Sequence, residues 1–208
     1  MDGVVFDFDG VLADSMRLHA EAYRRALAPL GVAVDDAEVF RREGARSETI
    51  IQDLCQGQTV DAVRLADDKQ RIFRSLGAVR LYPGVQELLA RVQEQTATAL
   101  VTGTRRSNLE QIIPDLLERF QAVLSQESYT HDKPHPEPYA RAADALGMAP
   151  ERLICVENAV RGIQSARAAG YGHIIAIATT MPVADLPADE VVADHEELLA
   201  SLTRWGVA

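Results

Sequence analysis

Cysteine is scarce in this chain of 208 residues, which contains only two. Two cysteines in a chain of this size do not make the disulfide framework of a small secreted domain. Cys155 lies inside an apolar run, where a buried and unreactive thiol is expected. The fold must therefore rest on a hydrophobic core, and a composition of 47% hydrophobic and 25% charged residues is sufficient for one.

Basic residues are also in short supply. The chain has 21 of them against 31 acidic residues, and its net charge is -10. Nucleic-acid binding needs a basic face, so the composition argues against a nucleic-acid partner. A ligand that carries phosphate would need a site that is locally positive against the overall sign.

Long apolar runs are absent. No apolar stretch reaches the roughly 18 residues that a membrane-spanning helix needs, and no basic segment precedes an apolar one near residue 1. We therefore expect a cytoplasmic protein without a membrane partner. The sequence leaves the oligomeric state open between a monomer and a homodimer.

The most informative stretch that is present reads Val4-Val5-Phe6-Asp7-Phe8-Asp9-Gly10. Its apolar part predicts a buried strand of a parallel sheet, and ligands bind just beyond the carboxyl ends of such strands. Asp7 and Asp9 point the same way if the strand geometry persists. Two carboxylates held together repel each other unless a cation lies between them, and their oxygen atoms suit Mg²⁺. Taken alone, the pattern is also compatible with an ordinary turn, because Asp and Gly both favour turns.

The remainder of the chain shows two kinds of sequence pattern. Residues 15–79 show a helical pattern that is rich in charge and poor in strand signals, whereas short apolar strands alternate with amphipathic helices from residue 81 onward. The alternation predicts an α/β fold, a doubly wound parallel sheet with helices on both faces and the first strand in its middle. We expect a core domain of residues 1–14 and 80–208, with a helical domain of residues 15–79 inserted into it.

Three further polar clusters follow predicted strands or lie in loops. Thr102-Gly103-Thr104 follows the second strand of the predicted sheet, where a hydroxyl, an unhindered amide and a helix N-terminus together suit an anion. A plain helix N-cap would give the same pattern. Arg105 and Arg106 could add positive charge, although a solvated helix face explains Arg106 at least as well.

The other two clusters carry a lysine and an acid. The string Lys133-Pro134-His135-Pro136-Glu137-Pro138-Tyr139 holds its lysine in an extended segment, where a fixed cation would orient Asp7 and offset the charge of a phosphate. A lone lysine on a loop is usually a surface charge, so the whole string carries this prediction. Glu157-Asn158 follows the fourth strand, where an acid is a metal ligand by position.

Together these motifs resemble the four motifs of the haloacid dehalogenase-like superfamily. Asp7-Phe8-Asp9-Gly10-Val11-Leu12-Ala13-Asp14-Ser15 is similar to its nucleophile motif. The lysine string is similar to the third motif in the branch of the β-phosphoglucomutases and phosphoglycolate phosphatases. All four motifs occur in the family's order across residues 7–170. The resemblance implies a Rossmann-like core with an α-helical cap that closes over the active site.

The resemblance also implies roles for individual residues. The residues implied as catalytic are Asp7, Asp9, Thr102 and Lys133. Those implied in binding the substrate or its phosphate are Gly103, Thr104, Arg105 and His19. Those implied in binding Mg²⁺ are Asp7, Asp9, Glu157 and Asn158. In this scheme Asp7 forms an aspartyl-phosphate and Asp9 acts as general acid and base. Asn158 stands where the family most often has Asp, so one formal charge is missing.

The expected reaction is hydrolysis of a small phosphorylated metabolite, such as a sugar phosphate or a phosphoglycolate-like acid. Phosphoryl transfer within a sugar phosphate is the first alternative, because His19 lies where the mutases have a histidine at the cap hinge. Many phosphatases of sugar phosphates also have a histidine there. Dehalogenation is a weaker alternative, since it needs no Mg²⁺. A non-catalytic binding protein on this fold is the last, and the intact Asp7, Asp9, Thr102 and Lys133 oppose it.

Overall fold

A computed structural model describes all residues, 1–208. Its strands, in chain order, are β1 Gly3–Phe6, β2 Ala13–Asp14, β3 Arg80–Leu81, β4 Ala97–Val101, β5 Ala122–Leu124, β6 Leu153–Glu157, β7 His173–Ile177 and β8 Glu190–Val192. Its α-helices are α1 Met16–Leu27, α2 Asp36–Phe40, α3 Ser47–Leu54, α4 Ala62–Ser75, α5 Val85–Gln95, α6 Arg106–Ile112, α7 Pro114–Leu117, α8 Glu137–Leu146, α9 Val160–Ala168 and α10 His195–Arg204.

Six parallel strands form the main sheet in the order β5-β4-β1-β6-β7-β8. The first strand lies in its middle, with Val5 opposite Ala99 of β4 on one side and Cys155 of β6 on the other. This confirms the predicted α/β fold with a doubly wound parallel sheet. The carboxyl ends of β1, β4 and β6 consequently lie side by side, and each is followed by one of the polar motifs.

The sheet is buried on both faces, as its nearly continuous apolar strands require. Alternate side chains of β1 enter opposite cores, because successive side chains of a strand point to opposite faces. Val4 and Phe6 pack with residues of α5, α6, α7 and α10, whereas Val5 packs with residues of α8 and α9. No helix has both the length and the apolar character needed to cross a membrane.

The helices α1 to α4 pack around a separate apolar cluster that includes Tyr23, Leu27, Ile51 and Leu65. The chain leaves the sheet and returns to it through the antiparallel pair of β2 and β3. Sequence patterns do not reveal this pair, because strands of two residues have no periodicity. It lies where the predicted boundaries of the inserted domain fall, and the division into domains itself stays a prediction.

Some helix ends differ from expectation. The pattern predicts a helix over 35–43, whereas α2 covers only Asp36–Phe40 and is followed by turns. Gly44 then takes a left-handed φ of 91°, which a continuing helix does not allow. Pro114 starts a new short helix, α7, since proline is favoured at the first position of a helix.

Candidate active site

The two aspartates after β1 lie on one cleft but have different partners. Asp7 is 5% exposed, and its Oδ1 accepts a hydrogen bond of 2.5 Å from Lys133 Nζ. Asp7 extends the sheet by donating its amide to Val156 O, at 3.0 Å. Asp9 turns toward α1 and the loop after β4. The strand geometry therefore holds for Asp7 and changes before Asp9.

Lys133 lies between two carboxylates. Its Nζ is 2.5 Å from Asp7 Oδ1 and 2.7 Å from Glu157 Oε1. All three side chains are buried. Burial alone would lower the pKa of Lys133, but the charges of Asp7 and Glu157 outweigh it and raise that pKa. The pKa of Asp7 is well above its usual value because of burial, and the charge of Lys133 only partly opposes that effect. The lysine string therefore provides the fixed cation that the sequence predicts.

Glu157 has four hydrogen-bond donors around its carboxylate. Its Oε1 accepts from Lys133 and from the hydroxyl of Tyr139, at 2.7 and 2.9 Å. Its Oε2 accepts from the amides of Asn158 and Ala159, at 2.9 and 3.1 Å. A carboxylate offers about four lone-pair sites, and all are used here. The Glu157 carboxylate therefore orients Lys133, and its role as a metal ligand stays a prediction.

Asp9 is held by hydroxyls and by a histidine. Its Oδ1 accepts from Ser15 Oγ at 2.5 Å and lies 3.1 Å from His19 Nε2. Its Oδ2 accepts from Thr104 Oγ1 at 2.7 Å and, more weakly, from Thr102 Oγ1 at 3.5 Å. Burial would raise the pKa of Asp9, but His19 and the hydrogen bonds from Ser15 and Thr104 lower it below its usual range. Asp9 is therefore an oriented anion.

A buried lysine supports His19 from the helical region. Lys69 Nζ lies 2.8 Å from His19 Nδ1, so this lysine donates there and the histidine presents Nε2–H to Asp9. Burial lowers the pKa of Lys69 to about 8. Lys69 was not predicted as a site residue, although the sequence contains a signal for it. Lys69 occurs four residues from both Leu65 and Phe73, on the buried face of α4.

The residues predicted to bind the phosphate or substrate all line one cleft, namely His19, Gly103, Thr104 and Arg105. Gly103 and Thr104 line the cleft, and the Thr104 amide donates to Thr102 Oγ1 at 3.0 Å. Thr102 itself is fully buried beside Asp9. Arg105 also lines the cleft, and its guanidinium is 3.3 Å from Asp67 and 3.8 Å from Glu48. Arg105 therefore pairs with acids of the helical region.

Asn158 contacts an acid that the sequence analysis did not single out. Its Nδ2 donates to Glu43 Oε2 and to Thr180 Oγ1, both at 2.9 Å. Asn158 is fully buried and Glu43 is 8% exposed, yet Asn158 Oδ1 and Glu43 Oε1 have no hydrogen-bond partner. Burial and the charge of Asp7 raise the pKa of Glu43 well above its usual value. No periodicity or motif marks Glu43, because it lies in a turn of the helical region.

The oxygen atoms at this centre fit the magnesium ion that the motifs imply. Four buried or nearly buried carboxylates lie together, on Asp7, Asp9, Glu43 and Glu157. Lys133 is the one cation paired with any of Asp7, Glu43 and Glu157. Buried charges without a counter-charge are costly, and a buried oxygen without a partner is rare. A hard divalent cation with oxygen ligands relieves both problems.

The helical region covers this centre through the segment after α2. A Cβ placed on Gly44 would lie 3.2 Å from Lys133 Cβ, so the backbone passes directly over the lysine. Arg46 donates to Asp132 at 2.6 Å and to Tyr129 O at 2.9 Å. These contacts hold the helices over the carboxylates and leave a cleft between the two parts.

The protein is an α/β protein with a buried parallel sheet. Its candidate active site lies beyond the central strand, where acids collect under a helical cover. Within this class, the family model of the haloacid dehalogenase-like hydrolases matches residues 4–176. The chain belongs to this family of hydrolases.

Individual relatives agree with this placement. The phosphorylated carbohydrates phosphatase of Thermotoga maritima is 30% identical, over 85% of this chain and 85% of its own length. Hexitol phosphatase B of Escherichia coli is also 30% identical, over 95% of this chain and 89% of its own length. The solved structure of a hydrolase from Pseudomonas syringae has the same fold, with a TM-score of 0.88, 20% identity and coverage of 98% and 99%.

Proposed function

We propose that this protein is a Mg²⁺-dependent phosphatase that hydrolyses a small phosphorylated sugar or a related hydroxylated metabolite through an aspartyl-phosphate on Asp7. The observation that carries the proposal is the pair of aspartates on the cleft, one held by Lys133 and the other by hydroxyls and His19. Such a pair gives one carboxylate the position of a nucleophile and the other that of an acid and base.

Asp7 is suited to attack phosphorus. Lys133 fixes one of its oxygens, Oδ1, and no protein group donates to the other, Oδ2. One oxygen therefore orients the carboxylate and the other is available to the substrate. Lys133 also offsets the charge that the phosphoryl group brings, so positioning and electrostatics supply the catalysis.

Asp9 is suited to move protons. As an anion, it can take a proton from the water that hydrolyses the aspartyl-phosphate. When a phosphate group arrives next to it, the added negative charge raises the pKa of Asp9, which favours the protonated form that the leaving oxygen needs. His19 and Thr104 keep the carboxylate in place during both steps.

Mg²⁺ would be held by Asp7, by the main-chain carbonyl of Asp9 and by Asn158. When bound, it supplies positive charge that neutralises the phosphoryl oxygens. The unpartnered Asn158 Oδ1 supports this ligand set. Glu157 remains outside the set, because its four lone-pair sites are already used.

Polar groups on the helical side of the cleft support a substrate with hydroxyls. Glu48 Oε2 and Gln70 Nε2 are buried and have no hydrogen-bond partner, and both residues line the cleft. Lys69 lies nearby and adds a donor. An acceptor and two donors are what sugar or polyol hydroxyls require. Two relatives bear the names of phosphatases for phosphorylated carbohydrates and hexitols, in agreement with this substrate class.

The test is a screen of phosphorylated sugars, polyols and organic acids, with released phosphate measured in Mg²⁺ and in EDTA. We expect metal-dependent release from at least one sugar or polyol phosphate. Asp7→Asn should abolish it, because the amide has the same shape but is no nucleophile. Asp144→Asn, at an exposed site on α8, is the matched control. Appreciable turnover by Asp7→Asn would remove Asp7 from its role.

The mutase alternative has a structural argument of its own, since the helices cover the site and a mutase must keep water from its aspartyl-phosphate. The same protein is therefore incubated with β-glucose 1-phosphate, Mg²⁺ and a trace of the 1,6-bisphosphate. Efficient formation of glucose 6-phosphate with little free phosphate would replace the phosphatase by the mutase.

A further inference from the structure

We propose that Glu43 is a ligand of the magnesium site and supplies the carboxylate that Asn158 lacks, so that the metal ion joins the helical region to the sheet. This inference rests on the proposed function, because Mg²⁺ is part of it. It adds a ligand from a part of the chain that none of the four motifs includes.

Two oxygen atoms without partners point to a ligand. Glu43 Oε1 and Asn158 Oδ1 are both buried, and neither accepts a hydrogen bond. Their side chains are in direct contact, since Asn158 Nδ2 donates to Glu43 Oε2 at 2.9 Å. Buried acceptors are nearly always satisfied, so two orphaned oxygens on touching side chains indicate a missing partner. A cation with oxygen ligands satisfies both at once.

A plain hydrogen bond between the two residues accounts for only part of this arrangement. It explains Asn158 Nδ2 and Glu43 Oε2, but it leaves the other oxygen of each side chain unexplained. The two donations from Asn158 Nδ2, to Glu43 and to Thr180, instead hold the amide so that Oδ1 stays free. The contact thus orients Asn158 as a metal ligand.

The charges at the site support the same conclusion. Position 158 offers an amide, so the carboxyl groups of this centre come from Asp7, Asp9 and Glu157 and, from the helical region, Glu43. Glu43 thus brings to the centre the acidic oxygen ligand that Asn158 does not provide.

Two glycines allow Glu43 to reach this position. A Cβ on Gly10 would lie 2.0 Å from Asn158 Nδ2 and 3.2 Å from Glu43 Oε1, so the loop after β1 touches both side chains. Gly44, next to Glu43, passes over Lys133 with the φ of 91° that favours glycine. The backbone on both sides therefore brings the Glu43 carboxylate to the centre.

Isothermal titration of Mg²⁺ into the full-length protein, without substrate, tests the proposal. The variants are Glu43→Gln, Asn158→Asp and the double variant, and Glu38→Gln in α2 is the control, because Glu38 does not line the cleft. We expect Glu43→Gln to raise the Kd for Mg²⁺ about tenfold or more, which is about 1.4 kcal/mol. Asn158→Asp in that background should restore the affinity, and Glu38→Gln should leave it unchanged.

The outcomes separate this inference from the proposed function. Equal Mg²⁺ affinity of wild type and Glu43→Gln overturns the inference and leaves a metal-dependent phosphatase intact. Failure of Asn158→Asp to restore affinity in Glu43→Gln also overturns it, because a carboxylate at either position should serve. No Mg²⁺ binding by the wild-type protein at millimolar concentration overturns both proposals. Circular dichroism in EDTA verifies that each variant is folded before it is titrated.

Discussion

Replacing Lys133 by methionine should destabilise the protein strongly as well as inactivate it. Methionine fills nearly the same space but leaves Asp7 and Glu157 buried without their shared cation, 2.5 and 2.7 Å away in the wild type. Breaking a buried ion pair by removing one partner costs about 3–5 kcal/mol. At a urea m-value of about 2 kcal/mol/M, that loss lowers the unfolding midpoint by about 1.5–2.5 M.

A second substitution reveals the origin of this loss. In the double variant Lys133→Met with Glu157→Gln, one of the two uncompensated charges is gone. Its loss of unfolding free energy should therefore be smaller than the sum of the losses in the two single variants. We expect a coupling energy of about 1–3 kcal/mol, since the two side chains are in direct contact. Activity should stay lost in the double variant, because Asp7 still lacks its orienting cation.

The pH dependence of the destabilisation gives an independent measurement. The pKa of Asp7 is already raised by burial, and loss of Lys133 removes the charge that opposes the increase. A carboxyl with a raised folded pKa costs stability above that pKa and recovers it as the pH falls. The difference in urea midpoint between wild type and Lys133→Met should therefore be smaller at pH 5.5 than at pH 8. A midpoint shift below about 0.5 M at pH 8, or strictly additive single losses, would refute the account of Lys133 as the shared counter-charge.

Two further variants test the surroundings of these side chains. Gly162→Ala would bring a Cβ to 1.7 Å from Glu157 Oε1. We expect this variant to have a lower kcat and a free energy of unfolding in urea that is about 1–3 kcal/mol smaller, despite a helix-propensity gain of roughly 1 kcal/mol. Wild-type stability and kcat in this variant would refute the packing argument. The pKa of Lys69 is about 8, so its charge, and with it substrate affinity, should fall as the pH rises through 8. Lys69→Met should raise KM about 10- to 100-fold at pH 7. The increase in KM that we expect of the wild type above pH 8 should be absent in this variant. A KM profile over pH identical to that of the wild type would exclude contact between Lys69 and the substrate.

Much of the fold follows from local patterns in the sequence. The apolar run before Asp7 is buried on both faces, which is possible only in the middle of a covered parallel sheet, and β1 lies there. The alternation of short strands and amphipathic helices fixes the remaining layers. The pair of β2 and β3 could not be predicted, because two hydrogen-bonded residues on each side leave no trace in composition or spacing.

The candidate site was less accessible from the sequence. Motif spacing identifies Asp7, Asp9 and Lys133, since each follows a strand or a rigid loop. It gives no indication that Glu157 is saturated by four donors, because two of these are backbone amides of its own turn. Glu43 was missed for another reason. Its position depends on how the helical region packs against the sheet, and such long-range contacts have no local signature.

The sign of the charge at the site is the remaining difference between expectation and structure, and it bears on the order of binding. A phosphate ligand led us to expect a locally positive site in this acidic chain. The centre instead has four carboxylates, on Asp7, Asp9, Glu43 and Glu157. Lys133 is engaged by two of them, and Lys69 donates to His19. The ionised carboxylates of this centre would repel a phosphate dianion. Within the proposed function, we therefore expect Mg²⁺ to bind before the phosphate or together with it, because the metal ion offsets this repulsion.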